Sequence, residues 1–214
     1  MQRKITITFF VIVGFLLTIS LYLLVSQQHL QVDLPRPLPT FSIDSPPSES
    51  LIGSIATLSG VVLWESRSAT KPLRIHSVQK LQQGESVLTS TGSATLVFPG
   101  IVQLTLAHDT GINIIQTLPA SFVLQQTKGE AVFTISSGKI PVALRALDLL
   151  ISTNSATLSV RVDANRAEVA ILVEKGNPTI AYEDTNFVTQ ILTLSRGQTF
   201  YFNNNTKKRI YNYL

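Results

Sequence analysis

From about Leu51 onward the chain alternates apolar and polar residues with a period of two. Val102-Gln103-Leu104-Thr105-Leu106, Leu158-Ser159-Val160-Arg161-Val162 and Ala167-Glu168-Val169-Ala170-Ile171-Leu172-Val173 follow the pattern of strands with one buried face. Val160 and Val169 are therefore expected to point inward, and Arg161 and Glu168 outward. Further apolar or branched runs occupy residues 52–58, 61–64, 86–88, 95–98, 122–125, 131–135, 149–152, 179–182, 191–194 and 199–202. Turn-forming residues fill most gaps: Ser59-Gly60, Gln83-Gly84, Thr91-Gly92, Pro99-Gly100, Thr110-Gly111, Lys128-Gly129, Ser137-Gly138, Asp163-Ala164-Asn165, Gly176-Asn177-Pro178 and Arg196-Gly197. Ser90–Gly92 and Ser136–Gly138 read as hairpin turns. Short strands at this spacing imply an all-β domain over residues 51–203, built as a sandwich, a jelly roll or a β-solenoid of short strands. Residues 141–148, PVALRALD, are the one stretch of helical propensity, too short to oppose that class.

A second feature fixes a location. The run from Ile5 to Val25, ITITFFVIVGFLLTISLYLLV, carries no charge. As a helix it reaches roughly 31 Å, which matches the ~30 Å hydrocarbon core of a bilayer. Its threonines and serine can hydrogen-bond a carbonyl one turn back and so cost little in lipid. A cleavable signal peptide has a shorter core, about 7–15 residues, followed by a small-x-small site that Ser26-Gln27-Gln28-His29 does not offer. The expectation is a single transmembrane helix over residues 5–25, acting as a signal anchor in the cytoplasmic membrane. Arg3 and Lys4 precede the run and nothing basic follows until Arg36. That bias places residues 1–4 in the cytoplasm and the remainder outside.

Between anchor and domain, residues 26–50 hold five of the ten prolines, at Pro35, Pro37, Pro39, Pro46 and Pro47. Proline removes donors and favours extended geometry, so this segment reads as a semi-rigid linker. The net charge of +4 is small and scattered apart from Lys207-Lys208-Arg209. It lacks the basic and aromatic face of a nucleic-acid binder. The absence of cysteine removes disulfides, thiolate metal sites and lipoprotein acylation together. Residues 204–214 form a basic and aromatic tail, either an added edge strand or disordered.

Several stretches carry a family resemblance. Residues 81–114, LQQGESVLTSTGSATLVFPGIVQLTLAHDTGINI, resemble the opening of a FecR-type domain, with a Gly-acidic pair before a strand and a Thr-x-x-Gly-x-Ala turn after it. Residues 122–135, FVLQQTKGEAVFTI, are similar to its central hairpin, with Gly-Glu at the bend. Residues 156–180, ATLSVRVDANRAEVAILVEKGNPTI, and 194–202, LSRGQTFYF, resemble its final strands. The resemblance spans about residues 81–202. Two turns depart from the family pattern: Ser155-Ala156-Thr157-Leu158 stands for a Gly-Thr-x-Phe turn, and Phe98-Pro99-Gly100-Ile101 for an Asp-Gly-Ser one. The second puts proline in a type II turn. The resemblance implies a bacterial periplasmic or cell-surface β-domain that works by binding. Such domains are best known for sensing an outer-membrane receptor and signalling to a cytoplasmic sigma factor. With residues 1–4 alone expected inside, the fold and compartment carry over and the anti-sigma role does not.

No catalytic constellation emerges. His29 lies in the linker, His76 beside a strand, and His108-Asp109 at a strand end, with no metal-ligand spacing among them. The acidic residues Glu85, Glu130, Asp148, Asp163, Glu168, Glu174, Glu183 and Asp184 are spread over turns and outward positions. No nucleophile elbow or phosphate-binding loop is present. The expectation is a protein that is not an enzyme, with no catalytic, metal or cofactor site and no small-molecule cofactor. Exposed aromatics are common binding anchors, which draws attention to Trp64, Tyr201, Tyr211 and Tyr213. Trp64 reads as packing at the core edge. The favoured function is a membrane-anchored protein-interaction or envelope-scaffold module with a protein partner, using a sheet edge or a flat β-face. The alternatives are a lipid or glycolipid carrier with an open jelly-roll groove lined by Val102, Leu104 and Leu106, or a sensory component of a transmembrane signalling system.

Overall fold

Fifteen strands carry the described chain. The computed structural model describes residues 46–138 and 140–213, so the apolar run 5–25 and most of the linker 26–50 lie outside the described residues. Among the described residues no helix is long and apolar enough to cross a membrane. In chain order the strands are β1 (Gly53–Glu65), β2 (Leu73–Ile75), β3 (Gln79–Leu81), β4 (Ser86–Phe98), β5 (Val102–Leu106), β6 (Gly111–Leu118), β7 (Ser121–Ile135) and β8 (Val142–Ala146). They continue with β9 (Leu149–Thr153), β10 (Ala156–Asp163), β11 (Glu168–Gly176), β12 (Thr179–Glu183), β13 (Thr189–Thr193), β14 (Gln198–Asn203) and β15 (Lys208–Tyr213).

All belong to one hydrogen-bonded sheet, and it doubles into two layers because β1, β4 and β7 take part in both. The first part of β4 pairs with β6 and its last five residues, 94–98, with β5. In β7, residues up to Lys128 pair with β6, and residues 131–135 with β5. The ladder β4–β5–β7–β6 thus returns to β4 as a closed ring. One layer runs β2-β1-β4-β6-β7-β8-β9-β12-β13, and the other runs β3-β1-β4-β5-β7-β10-β11-β14-β15. All pairings are antiparallel except β7 with β8.

The crossings correct the sequence expectation. Ser59-Gly60, Thr91-Gly92 and Lys128-Gly129 do not reverse the chain; they bend strands that continue into the other layer. Runs 52–58 and 61–64 therefore merge into β1, 86–88 and 95–98 into β4, and 122–125 and 131–135 into β7. Gly60 stands opposite Gly92 with a register shift beside it, at φ 73° and 144°. A Cβ on either would collide with the carbonyl of Thr91 or Ser59, so only glycine lets both strands bend at the same level. Strands of 13 to 15 residues also rule out an assembly of short strands alone.

Between β4 and β7, where β5 gives way to β6, the connection between those two strands fills the gap. Thr110 is fully buried; its N–H donates to Thr89 Oγ1 at 3.0 Å, and its Oγ1 accepts from the Glu130 N–H at 3.0 Å. Gln126 Nε2 donates to the carbonyls of Gly129 and Val160 at 2.8 and 3.0 Å. Backbone groups freed by the bends are thereby satisfied away from water, as burial requires.

Ser136–Gly138 is likewise no hairpin turn, because the strands it joins, β7 and β8, run parallel, and Thr110-Gly111 joins β5 and β6, which run in the same direction along β4. Pro99-Gly100 is a type II turn, closed by the Ile101 N–H on the Phe98 carbonyl at 3.1 Å with Gly100 at φ 71°. Residues 142–146, inside the helix-prone stretch, form β8, because parallel pairing with β7 buries alternate residues Val142, Leu144 and Ala146. Tertiary pairing outweighs local propensity there. Val160 and Val169 are each 1% exposed, whereas Arg161 is outward. The core lies between the layers, where Phe98 of one meets Phe122 of the other edge to face at 4.8 Å.

Candidate functional site

On its outer side, the layer formed by β10, β11, β14 and β15 holds a concave groove of about 710 Å³. Register lines up Glu130, Arg161, Ala170, Tyr201 and Ile210 in one row across five strands. A neighbouring row carries Ser159, Leu172 and Thr199. The middle of the groove is therefore apolar, with Tyr201 45% and Ile210 59% exposed. Charged residues bound it: Glu130 and Arg161 on one side, Asp163, Glu168 and Lys208 toward the turns.

The turn side is held rigid by local bonding. Arg166 Nε donates to Asp163 Oδ2 at 2.6 Å and lies 3.6 Å from Glu168 Oε2. Asp163 Oδ1 accepts the N–H groups of Asn165 and Arg166, each at 3.1 Å. The Arg166 side-chain bond, first among these contacts, holds the Asp163 carboxyl below the usual carboxylate range, and the same bond raises Arg166. Asn204 N–H donates to the Ala167 carbonyl at 2.7 Å, tying the β14–β15 turn to the β10–β11 turn. A groove with an apolar floor and a charged rim can bind a complementary surface.

A smaller concavity, about 470 Å³, lies where β12 and β13 approach β15 and is lined by Tyr182, Asp184, Gln190, Lys207 and Arg209. Here side chains bridge the layers. Arg209 donates to the Tyr182 hydroxyl with its guanidinium 5.5 Å from the ring, and Lys207 Nζ reaches Asp148 Oδ2 at 3.2 Å. Tyr182 in turn packs on Phe200 and Phe202 at 5.6 and 5.3 Å.

The residues that the sequence singled out are scattered. His29 lies outside the described residues, and His76 and His108 are exposed. Asp109 pairs with Lys128 at 2.5 Å, and among the described residues no group of three or more His, Cys, Asp or Glu could hold a metal ion. Trp64 packs against the core and donates to Glu85 Oε2 at 3.1 Å. Tyr201 is in the groove; Tyr211 and Tyr213 lie on β15. The tail 204–214 supplies that edge strand. Val102, Leu104 and Leu106 are 2%, 0% and 0% exposed, sealed between the layers.

Sequence reasoning did not single out Ala170, Leu172 and Ile210. The signal was present in β11, where Ala170-Ile171-Leu172-Val173 is apolar on both faces. A half-exposed strand has no folding reason to keep Leu at an outward position.

No known protein family matches the sequence, and no curated protein matches it. In fold the chain is similar to two solved structures, at 2.50 and 1.65 Å, of a candidate anti-sigma factor from Parabacteroides distasonis ATCC 8503. Both have a TM-score of 0.53, with 13% and 14% sequence identity. The likeness covers 60% of this chain and 59% of each of those chains, so it spans somewhat over half their length and is a likeness of fold.

Proposed function

We propose that the chain is a non-catalytic protein-interaction module of FecR type, held outside the cytoplasmic membrane by residues 5–25, which docks a protein partner on the outer face of β10, β11, β14 and β15. The observation that carries this reading is the row Ala170, Tyr201 and Ile210: aligned, largely apolar side chains, half-buried to exposed, in the floor of a charge-rimmed groove that Arg161 bounds. Apolar anchors encircled by polar residues are the usual anatomy of a docking centre. FecR-type membership is supported by the motifs over residues 81–202 and by the fold likeness.

In-cell photo-cross-linking from position 201 in the full chain tests the docking face. The expected result is one dominant protein adduct that is lost in Ala170→Arg. An adduct unchanged by that substitution, or none, overturns the assignment of this face. A sensory role in transmembrane signalling is the second reading, favoured by the fold likeness to candidate anti-sigma factors. It differs in requiring that occupancy of the groove change transcription. The carrier reading has no such support, because the residues that would line its groove are sealed.

A further inference from the structure

Among the described residues the sheet has four edges, β2, β3, β13 and β15, and they are not equally protected. An exposed edge is a template for strand addition, and proteins blunt such edges with short strands, charges or prolines. β2 and β3 are three residues each and carry Arg74 and Lys80. β15 opens with Lys208-Arg209. β13 is Thr189-Gln190-Ile191-Leu192-Thr193: five residues, no charge, no proline, and no register shift against β12.

The edge is also presented rigidly. In the turn before it, Asp184 Oδ1 accepts the N–H groups of Asn186 and Val188 at 2.8 and 3.0 Å, and Oδ2 accepts Gln190 Nε2 at 2.9 Å. These bonds, the Val188 N–H first, hold the Asp184 carboxyl below its ordinary range. Phe187 sits there at φ 59° and 79% exposed, an unfavourable backbone for a bulky residue with its ring left in water.

Hydrogen-bond parity then says what could pair. Leu194 N–H donates to the Pro178 carbonyl and Asp184 N–H to the Val188 carbonyl, at 2.9 and 3.0 Å. Bonded pairs alternate along an antiparallel ladder, so Gln190 and Leu192 also turn their backbone groups toward β12. Thr189, Ile191 and Thr193 turn theirs away. A two-fold axis at Ile191 sets Ile191 against Ile191, and Thr189 against Thr193 of the second copy. Every outward group meets an outward group, and no charge meets a like charge. A register shifted by one residue would lose all of these bonds. The outward row Leu150, Ala181, Ile191 would also run on into its own repeat, covering Ile191, now 70% exposed, and bringing Leu150, at 42%, into one apolar strip.

We propose that β13 is an interface between two copies of this chain, paired antiparallel about a two-fold axis at Ile191 to make one continuous sheet. Such self-complementary contacts are what closed symmetric dimers require. The face is separate from the groove over β10 to β15, so failure of either assignment leaves the other standing.

The chain has no cysteine, so single cysteines report cleanly. In the full chain in detergent, Ile191→Cys treated with a short bismaleimide should give a covalent dimer. Thr189→Cys and Thr193→Cys should each cross-link poorly alone and well when mixed, and Arg74→Cys on β2 should remain a single chain. Ile191→Lys should shift the sedimenting protein mass from two copies of the 23.4 kDa chain to one, with an unchanged circular dichroism spectrum. Cross-linking of Ile191→Cys no greater than Arg74→Cys overturns the proposal. So does equal cross-linking by Thr189→Cys alone, or an in-cell adduct at 191 to a different protein.

Discussion

The two ends of the layered domain are closed by different means. At one end the backbone itself passes between layers, through the bends of β1, β4 and β7, with Thr89, Thr110 and Gln126 bonding the groups that the bends expose. At the other end the edge strands β13 and β15 belong to different layers, and side chains close the gap: Tyr182 on Phe200 and Phe202, Arg209 on Tyr182, Lys207 on Asp148. Backbone continuity cannot be undone without unfolding a strand. Side-chain bridges can open one at a time, so local opening should start at the far end. The unprotected edge β13 lies at that end, and the groove runs from Glu130 beside the crossing to Ile210 on β15.

The largest effect tests what the ends share. Val160 is 1% exposed in the common core, so Val160→Asp buries an unpaired carboxyl and should cost several kcal/mol, with both ends unfolding in one transition. Its outward neighbour gives the contrast: Arg161→Asp should change stability by less than about 0.5 kcal/mol. Urea denaturation of both variants measures this, and equal losses would reverse the assignment of faces.

Next in size is the backbone-closed end. Gly129 has φ 81°, and a Cβ there would press on the Asp109 carbonyl and Thr110, so Gly129→Ala should cost about 3 kcal/mol or more. Gly100 has a similar φ of 71° with open space around it, so Gly100→Ala should cost only about 1–2 kcal/mol. The difference between the two isolates the crowding at the crossing. If the two variants lose the same stability, the crossing is not specially constrained. The far end should yield less: Tyr182→Phe removes the hydroxyl that accepts from Arg209, for about 1 kcal/mol. Amide exchange should quicken in β12, β14 and β15 and stay unchanged in β4 and β7.

The same contrast explains what was legible in the sequence. Inward and outward positions such as Val160 and Arg161 could be read directly, because burial of one face forces period two. The bends could not. Gly60, Gly92 and Gly129 announce positive φ, and positive φ serves a reversal and a strand bend equally well. Which one occurs depends on partners distant in sequence: Gly92 can bend because Gly60 lies opposite it. The groove was half legible. Tyr201 stood out as an aromatic, whereas Ala170 and Ile210 gained meaning only when register set them beside it.

The smallest predicted effect separates the two ends by pH. Asn204, and after it Lys207, hold the Asp148 carboxyl below its ordinary value of 3.8. The folded state therefore favours the ionised form. Its contribution is complete above the unfolded value, about 4, and is lost as pH falls through the lower folded value. Lys207 also lies 5.9 Å from the Phe202 ring, so losing its carboxylate partner loosens a residue that helps cover the far end. Acidification from pH 6 to 3 should lower the amide protection around Asn204 to Lys207, measured against the intrinsic exchange rate at each pH, before it affects β4 and β7. Asp148→Asn should make that protection nearly independent of pH over this range. A variant that keeps the full acid response would move its source away from Asp148 and leave the far end no weaker in acid than the crossing.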